Sequence, residues 1–138
     1  MLIKLFRYLH ALAGPVFILF VLFILLNSFV ITPYQVSGES MESTLFDGQW
    51  LVVNLLEYVA RAPSKGDIVI VSLEQGTELE LVKRIAGIPG DVVKVNGQEV
   101  LLGKEDYYLL GDNSAHSTDS RVFGPVKRKQ ILGRVWQP

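Results

Sequence analysis

No charged side chain occurs between Arg7 and Glu39, and inside that gap lies "ALAGPVFILFVLFILLNSFVI". A run of roughly 20 apolar residues, wound as a helix at about 1.5 Å per residue, is long enough to cross a hydrocarbon core of about 30 Å. The expectation is one transmembrane helix over 11–32, a cytoplasmic N-terminus over 1–10 and an extracytoplasmic domain over 33–138. A cleavable signal peptide is the competing reading. Its apolar region would run for about 7–15 residues and end at a small-x-small site, whereas "ITPYQV" follows here. Lys4 and Arg7 precede the span and the next basic residue is Arg61. That asymmetry predicts a single-pass protein of the cell membrane, N-terminus inside and the rest on the outer face. Gly14 and Pro15 fall at the start of the span, where a gap in the helical hydrogen bonds costs least.

The chain has 138 residues and no cysteine, so disulfides and thiolate metal sites are excluded and the exported part must rely on one core. Taking Lys4 and Arg7 from the 13 basic residues leaves 11 against 14 acidic ones, a balance of −3, which argues against nucleic acid as partner. The basic run "KRKQILGR" reads as a solvated face, with a lipid headgroup contact as the minor alternative.

Beyond the anchor the pattern changes to short β-branched segments punctuated by Gly, Pro and Asp, which predicts a mostly-β domain. "QWLVVNLL", "DIVIVSL", "ELELVKRIA", "DVVKV", "QEVLL", "YYLLG" and "ILGRVW" are the candidate strands. Asn96-Gly97 between two alternating runs predicts a type I′ hairpin. In "ELELVKRIA" the two-residue period puts Leu79, Leu81, Lys83 and Ile85 on one face, and Glu78, Glu80, Val82 and Arg84 on the other. Lys83 thus sits on an apolar face, where two readings compete. Its stem can be buried with the ammonium reaching water. Alternatively the amine is desolvated, its pKa falls from about 10.4, and it can serve as a base.

"SGESMESTL", residues 37–45, offers three serines and two acids but no histidine, and a hydroxyl is a weak nucleophile until its proton is taken. His10 lies at the far end of the span. His116 has Asp112 and Asp119 near it in sequence, but a histidine in so polar a loop is usually solvated, and nothing in the spacing enforces metal coordination. Lys83 is the better partner, because a Ser-Lys pair is a known variant of the Ser-His-Asp logic.

"SGESMESTL", "GDIVIV", "KRIAGIPGD" and "GDNSAHSTDSRVFG" occur in the order of four sequence boxes of type I signal peptidases, and with the anchor the chain resembles that family over most of its length. The resemblance implies a signal-peptidase-like β-domain of coiled antiparallel sheets behind one transmembrane helix. It implies an endopeptidase that removes signal peptides from exported preproteins after small-x-small motifs, with signal peptides and the lipid bilayer as partners, and neither cofactor nor metal. Carried over, the nucleophile is Ser40 and the general base Lys83. Ser117 is expected to orient the lysine while Asp119 and Arg121 prop the loop. Val36, Met41, Leu81 and Val82 are expected to line shallow substrate pockets, core packing being their plainer role. The Ser40 backbone N–H is the expected oxyanion donor.

Three positions depart from the family pattern. Gly38 lacks the side-chain oxyanion donor that some members carry two residues before the nucleophile. Ser43 replaces the proline of "S-M-x-P-T", which is expected to loosen the loop slightly. Only a short hairpin lies between Asp91 and Gly111, as in compact members. The microsomal branch, with histidine at the lysine position, is disfavoured. From Ile31 to Ser40 the chain extends at most about 30 Å, which keeps the nucleophile near the bilayer. Two other functions compete: a catalytically silent, membrane-tethered β-domain that binds signal peptides or a secretion partner, and a Ser-Lys peptidase that cuts itself or a specialised substrate.

Overall fold

The computed structural model describes residues 13–24, 31–74 and 78–136, in two compact units, the N-terminal one ending at Ile31 and the second beginning at Thr32. The first unit is described as a helix, α1, over residues 13–24, all of them exposed. Among the described residues no helix is long and apolar enough to cross a membrane. Residues 11–12 and 25–30 of the expected span lie outside the described ones. The expected C-terminal boundary is corrected: residues 31 and 32 belong to a strand, because Thr and Pro break the apolar run there and favour extended backbone.

The second unit is mostly β. In chain order the elements from the unit boundary onward are β1 (Ile31–Gln35), whose first residue closes the first unit, β2 (Trp50–Asn54), the short helix α2 (Glu57–Ala60), β3 (Ile68–Glu74), β4 (Glu78–Gly87), β5 (Val92–Val95), β6 (Gln98–Leu101), β7 (Asp106–Leu110), α3 (Ser120–Phe123), β8 (Val126–Lys127) and β9 (Ile131–Val135). Seven strands form one sheet in the order β1-β2-β9-β3-β4-β7-β8, and β5-β6 is a separate hairpin. The strand registers, β3 with β4 and β9, β4 with β7 and β2 with β9, are antiparallel. All seven candidate strands are present. β1 and β8 went unread, the first because it abuts the apolar run and contains proline, the second because it has two residues.

Asn96 and Gly97 both have positive φ, 50° and 82°, as a type I′ turn requires. The central strand β3 is buried on both faces. Ile68 and Ile70 of β3 join one cluster with Val36, Met41, Leu45, Leu51, Val53, Val82 and Val135. Val69, Val71 and Leu73 join a second with Tyr58, Ile85, Tyr107, Leu109, Val126 and Ile131. The two-residue alternation of β4 holds, yet its two faces are not one apolar and one polar: Val82 enters the first cluster, while Leu81 and Ile85 pack in the second. Lys83 therefore stands between Leu81 and Ile85 on an apolar wall.

Much of "KRKQILGR" is engaged in the fold. Lys127 pairs with Asp106 at 2.6 Å, and Arg128 donates to the Tyr58 carbonyl at 2.8 Å and stacks over the Tyr58 ring. Arg134 reaches Asp67 at 3.1 Å, a carboxylate that also accepts from Tyr58 and Arg61. A solvated face is thus the wrong description for Arg128 and Arg134, which tie β9 and its approach to α2 and the start of β3.

Candidate active site

Ser40 lies in the turn that leaves β1. The segment around it is closed at its base, where Val36 N donates to Gln49 O and Gly48 N to Val36 O, each at 2.9 Å. It is tightened inside by Thr44 N and Leu45 N, both donating to Met41 O. Met41 is 1% exposed and sits in the first core cluster, so the residue next to Ser40 is an apolar plug that fixes the turn. From the other side Asn113 N donates to Ser40 O at 3.0 Å and Asn113 Nδ2 to Glu39 O at 3.1 Å.

Lys83 reaches this turn from the middle of β4. Its Nζ and Ser40 Oγ are hydrogen-bonded at 2.5 Å, and the residue is 2% exposed. Burial pushes the lysine pKa down, and the nearby Asp119 carboxylate acts more weakly in the opposite sense. A neutral amine accepts a hydrogen bond from a hydroxyl, so the pair has the contact and the polarity for proton transfer from oxygen to nitrogen. Of the two readings open for Lys83, the 2% exposure and the contact with Ser40 favour the desolvated amine over a head extended into bulk water.

Asp119 is fully buried at the N-terminus of α3. Arg121 clamps it with Nε on Oδ1 and an Nη on Oδ2, both at 2.8 Å, Gly111 N donates at 3.0 Å, and Ser117 Oγ at 2.8 Å. Burial alone would raise this carboxyl, but those donors outweigh it and hold the pKa at about 2. Asp119 and Arg121 are thus locked together at the start of α3. Ser117 differs from expectation: among the described residues its hydroxyl donates to Asp119 and Lys83 bonds to Ser40.

Several residues that hold the site were not singled out from sequence. Arg84 grips Asp112 through two bonds, 2.8 Å from Nε and 2.7 Å from an Nη. Successive β4 residues thus divide the work: Lys83 faces Ser40, and Arg84 holds the loop whose Asn113 grips the Ser40 carbonyl. Gly111 is the point of closest approach. A Cβ there would stand 2.5 Å from Ser40 O and 2.2 Å from Ser117 Oγ. The signal was the glycine opening "GDN", which is legible only once the two segments are known to touch.

Ser40 and Lys83 line a cleft of about 560 Å³ with Ser37, Glu39, Leu81 and His116 among its walls. Of the four expected pocket residues only Leu81 borders this cleft. Val36, Met41 and Val82 are corrected to core positions, 4%, 1% and 7% exposed, because these side chains pack in the first cluster. His116 is not part of a Ser-His-Asp arrangement: its Nδ1 is 3.9 Å from Glu39, both side chains exposed, while Asp112 and Asp119 are taken by arginines. The loosening expected at Ser43 is also revised. Ser43 has φ 83°, in the left-handed region that proline, held near −65°, cannot enter; the turn has a conformation of its own rather than a slackened one.

The sequence profile described as signal peptidase, peptidase S26, matches residues 9–106 and 101–137. Signal peptidase IB of Staphylococcus aureus is 30% identical over 157 aligned positions, which span 84% of this chain and 81% of that protein. Signal peptidase I P of Bacillus subtilis subsp. natto is 34% identical over 119 positions, 81% of this chain and 64% of the relative. Among solved structures, a signal peptidase I of Enterococcus faecalis overlaps 54% of this chain and 97% of its own, with 21% identity and a TM-score of 0.44. By a profile match that runs through nearly the whole sequence, the chain belongs to the signal peptidase family, peptidase S26.

Proposed function

We propose that this chain is a membrane-bound serine endopeptidase that cleaves signal peptides from exported preproteins after small-x-small motifs, with Ser40 as nucleophile and neutral Lys83 as general base. The observation that carries the proposal is the 2.5 Å contact between Ser40 Oγ and an amine that is 2% exposed. Lys83 Nζ takes the hydroxyl proton as Oγ attacks the scissile carbonyl carbon, and the resulting ammonium returns that proton to the departing amine. Water then enters, gives a proton to the same nitrogen and attacks the acyl ester; the proton passes back to Ser40 Oγ as the acid leaves. The Ser40 N–H, which has no backbone partner among the described residues, supplies an oxyanion donor, since an amide at the nucleophile is positioned for the developing charge.

The substrate is read as an extended peptide. β7 pairs with β4 only over Arg84–Gly87, which among the described residues leaves the Leu79–Lys83 edge beside the cleft without a strand partner on that side, Tyr34 Oη reaching only the Glu80 carbonyl at 3.3 Å; an extended chain can hydrogen-bond there. A signal peptide is itself held in the bilayer by its apolar region, so an enzyme anchored through its own N-terminal apolar run meets the cleavage site with much of the translational freedom already removed. The test is cleavage of a preprotein by the full chain in detergent micelles. Wild type is expected to cut after the small-x-small motif with or without chelator, and Ser40→Ala and Lys83→Ala each to abolish cleavage with the fold retained. Binding of the preprotein without cleavage by wild type would favour the silent tethered domain. Loss in His116→Ala with full activity in Lys83→Ala would move the base to histidine.

A further inference from the structure

We infer that Glu39, the residue directly before the nucleophile, is a specificity determinant that favours a basic over an acidic substrate side chain beside the scissile bond. The inference rests on the peptidase reading of the cleft and adds a preference that the reading does not contain. The charge-bearing side chains on the cleft wall are Glu39, Lys83 and His116. Lys83 is buried in an apolar setting that disfavours its ammonium. Below the cleft, Asp119 is matched by Arg121 and Asp112 by Arg84, so neither pair projects a net charge. Glu39 is different. Its side chain is 58% exposed, its one ion-pair neighbour among the described residues is His116 at 3.9 Å, and that imidazole carries charge only when protonated.

The placement of Glu39 is fixed even though its carboxylate is free to move. Its carbonyl accepts from Asn113 Nδ2 at 3.1 Å and from Glu42 N at 3.1 Å, and its successor is Ser40. Any peptide that puts its carbonyl carbon against Ser40 Oγ therefore runs past this carboxylate. The rest of the wall is small or apolar, with Ser37, Gly38, Leu79, Leu81, Val122 and Phe123, and provides no opposing charge. A lysine on the substrate is attracted and a glutamate repelled over a few ångströms of partly wet cleft, where effective dielectric screening leaves about a threefold to tenfold effect per charge.

The experiment uses the full chain in detergent micelles and peptides with alanine fixed on both sides of the x in the small-x-small motif. Lys, Gln or Glu is placed in turn at x and at each of the two residues after the cut, and kcat/KM is measured for each. At one of these positions at least, wild type should rank Lys above Gln above Glu, with Lys over Glu by about tenfold or more in low salt and less at high salt. Glu39→Gln should collapse that ratio to within about twofold, and His116→Arg, which gives Glu39 a permanent partner, should shrink it. Glu42→Gln, in the same turn but off the cleft wall, should leave it. Because each ratio is taken within one variant, a general loss of activity cancels. Cleavage of all peptides by wild type with no charge order, or an order that persists in Glu39→Gln, overturns this inference alone. No cleavage of the Gln peptides by wild type overturns the peptidase reading and the inference with it.

Discussion

Gly111→Ala tests whether the Ser40–Lys83 pair is aligned by close packing of two loops rather than by the two residues themselves. Ordinary contact for an added Cβ begins near 3.4 Å, whereas at Gly111 it would meet Ser40 O at 2.5 Å and Ser117 Oγ at 2.2 Å. The obstructing atoms must retreat by about 0.9 and 1.2 Å, or Gly111 must move although its N–H is held by buried Asp119 at 3.0 Å. Overpacking of this size costs about 1–3 kcal/mol. A displacement near 1 Å of a reacting group costs about 100-fold in rate, so kcat/KM should fall by roughly that factor. Gly133→Ala is the control, because its Cβ would meet Asn54 O at 2.8 Å and Val53 Cγ1 at 2.9 Å, a clash against β2 and its exit that touches neither Ser40 nor Lys83. Thermal unfolding should report a similar loss for both variants. Preprotein cleavage, measured where both are folded, should drop only for Gly111→Ala. Wild-type kcat/KM in a folded Gly111→Ala protein would refute the alignment reasoning.

The pH profile of kcat/KM should show an ascending limb below the ordinary lysine range of about 10.4, because burial lowers the Lys83 pKa; a flat profile would remove the amine from the mechanism. The same depression means that the unfolded chain binds the extra proton, so this group's contribution is present above the unfolded pKa and is lost as pH falls through the folded one. In Lys83→Met, urea unfolding across that window should lose this part of the slope. Asp119→Asn should cost roughly 2–3 kcal/mol at neutral pH, since Arg121, the buried Gly111 N–H and the half-buried Ser117 hydroxyl lose a charged acceptor. With its pKa held at about 2, the stability that Asp119 supplies is complete above the unfolded value near 3.9 and is lost as pH falls through about 2; acid titration of the variant should lack that component. Ser43→Gly should stabilise by about 1 kcal/mol by relieving a positive φ of 83°, and Ser43→Pro should destabilise; a stable, active Ser43→Pro would contradict the turn conformation.

The strands, the Asn96-Gly97 turn and the position of Lys83 on an apolar face were legible in the sequence, because strand period and turn chemistry are local properties of the chain. Ser40 and Lys83 could be named, but the sequence alone left the lysine free to reach water. Whether it does depends also on residues far from it in the chain, such as Ser40, which follows β1 at the edge of the sheet and bonds its amine. The grip of Arg84 on Asp112, the turning of Ser117 toward Asp119 and the withdrawal of Val36, Met41 and Val82 into a core were decided only by tertiary packing. The physical reason is that hydrophobic period fixes which way a side chain leaves its own backbone, while burial, ionisation and hydrogen-bond partners depend on which other segment fills the space opposite.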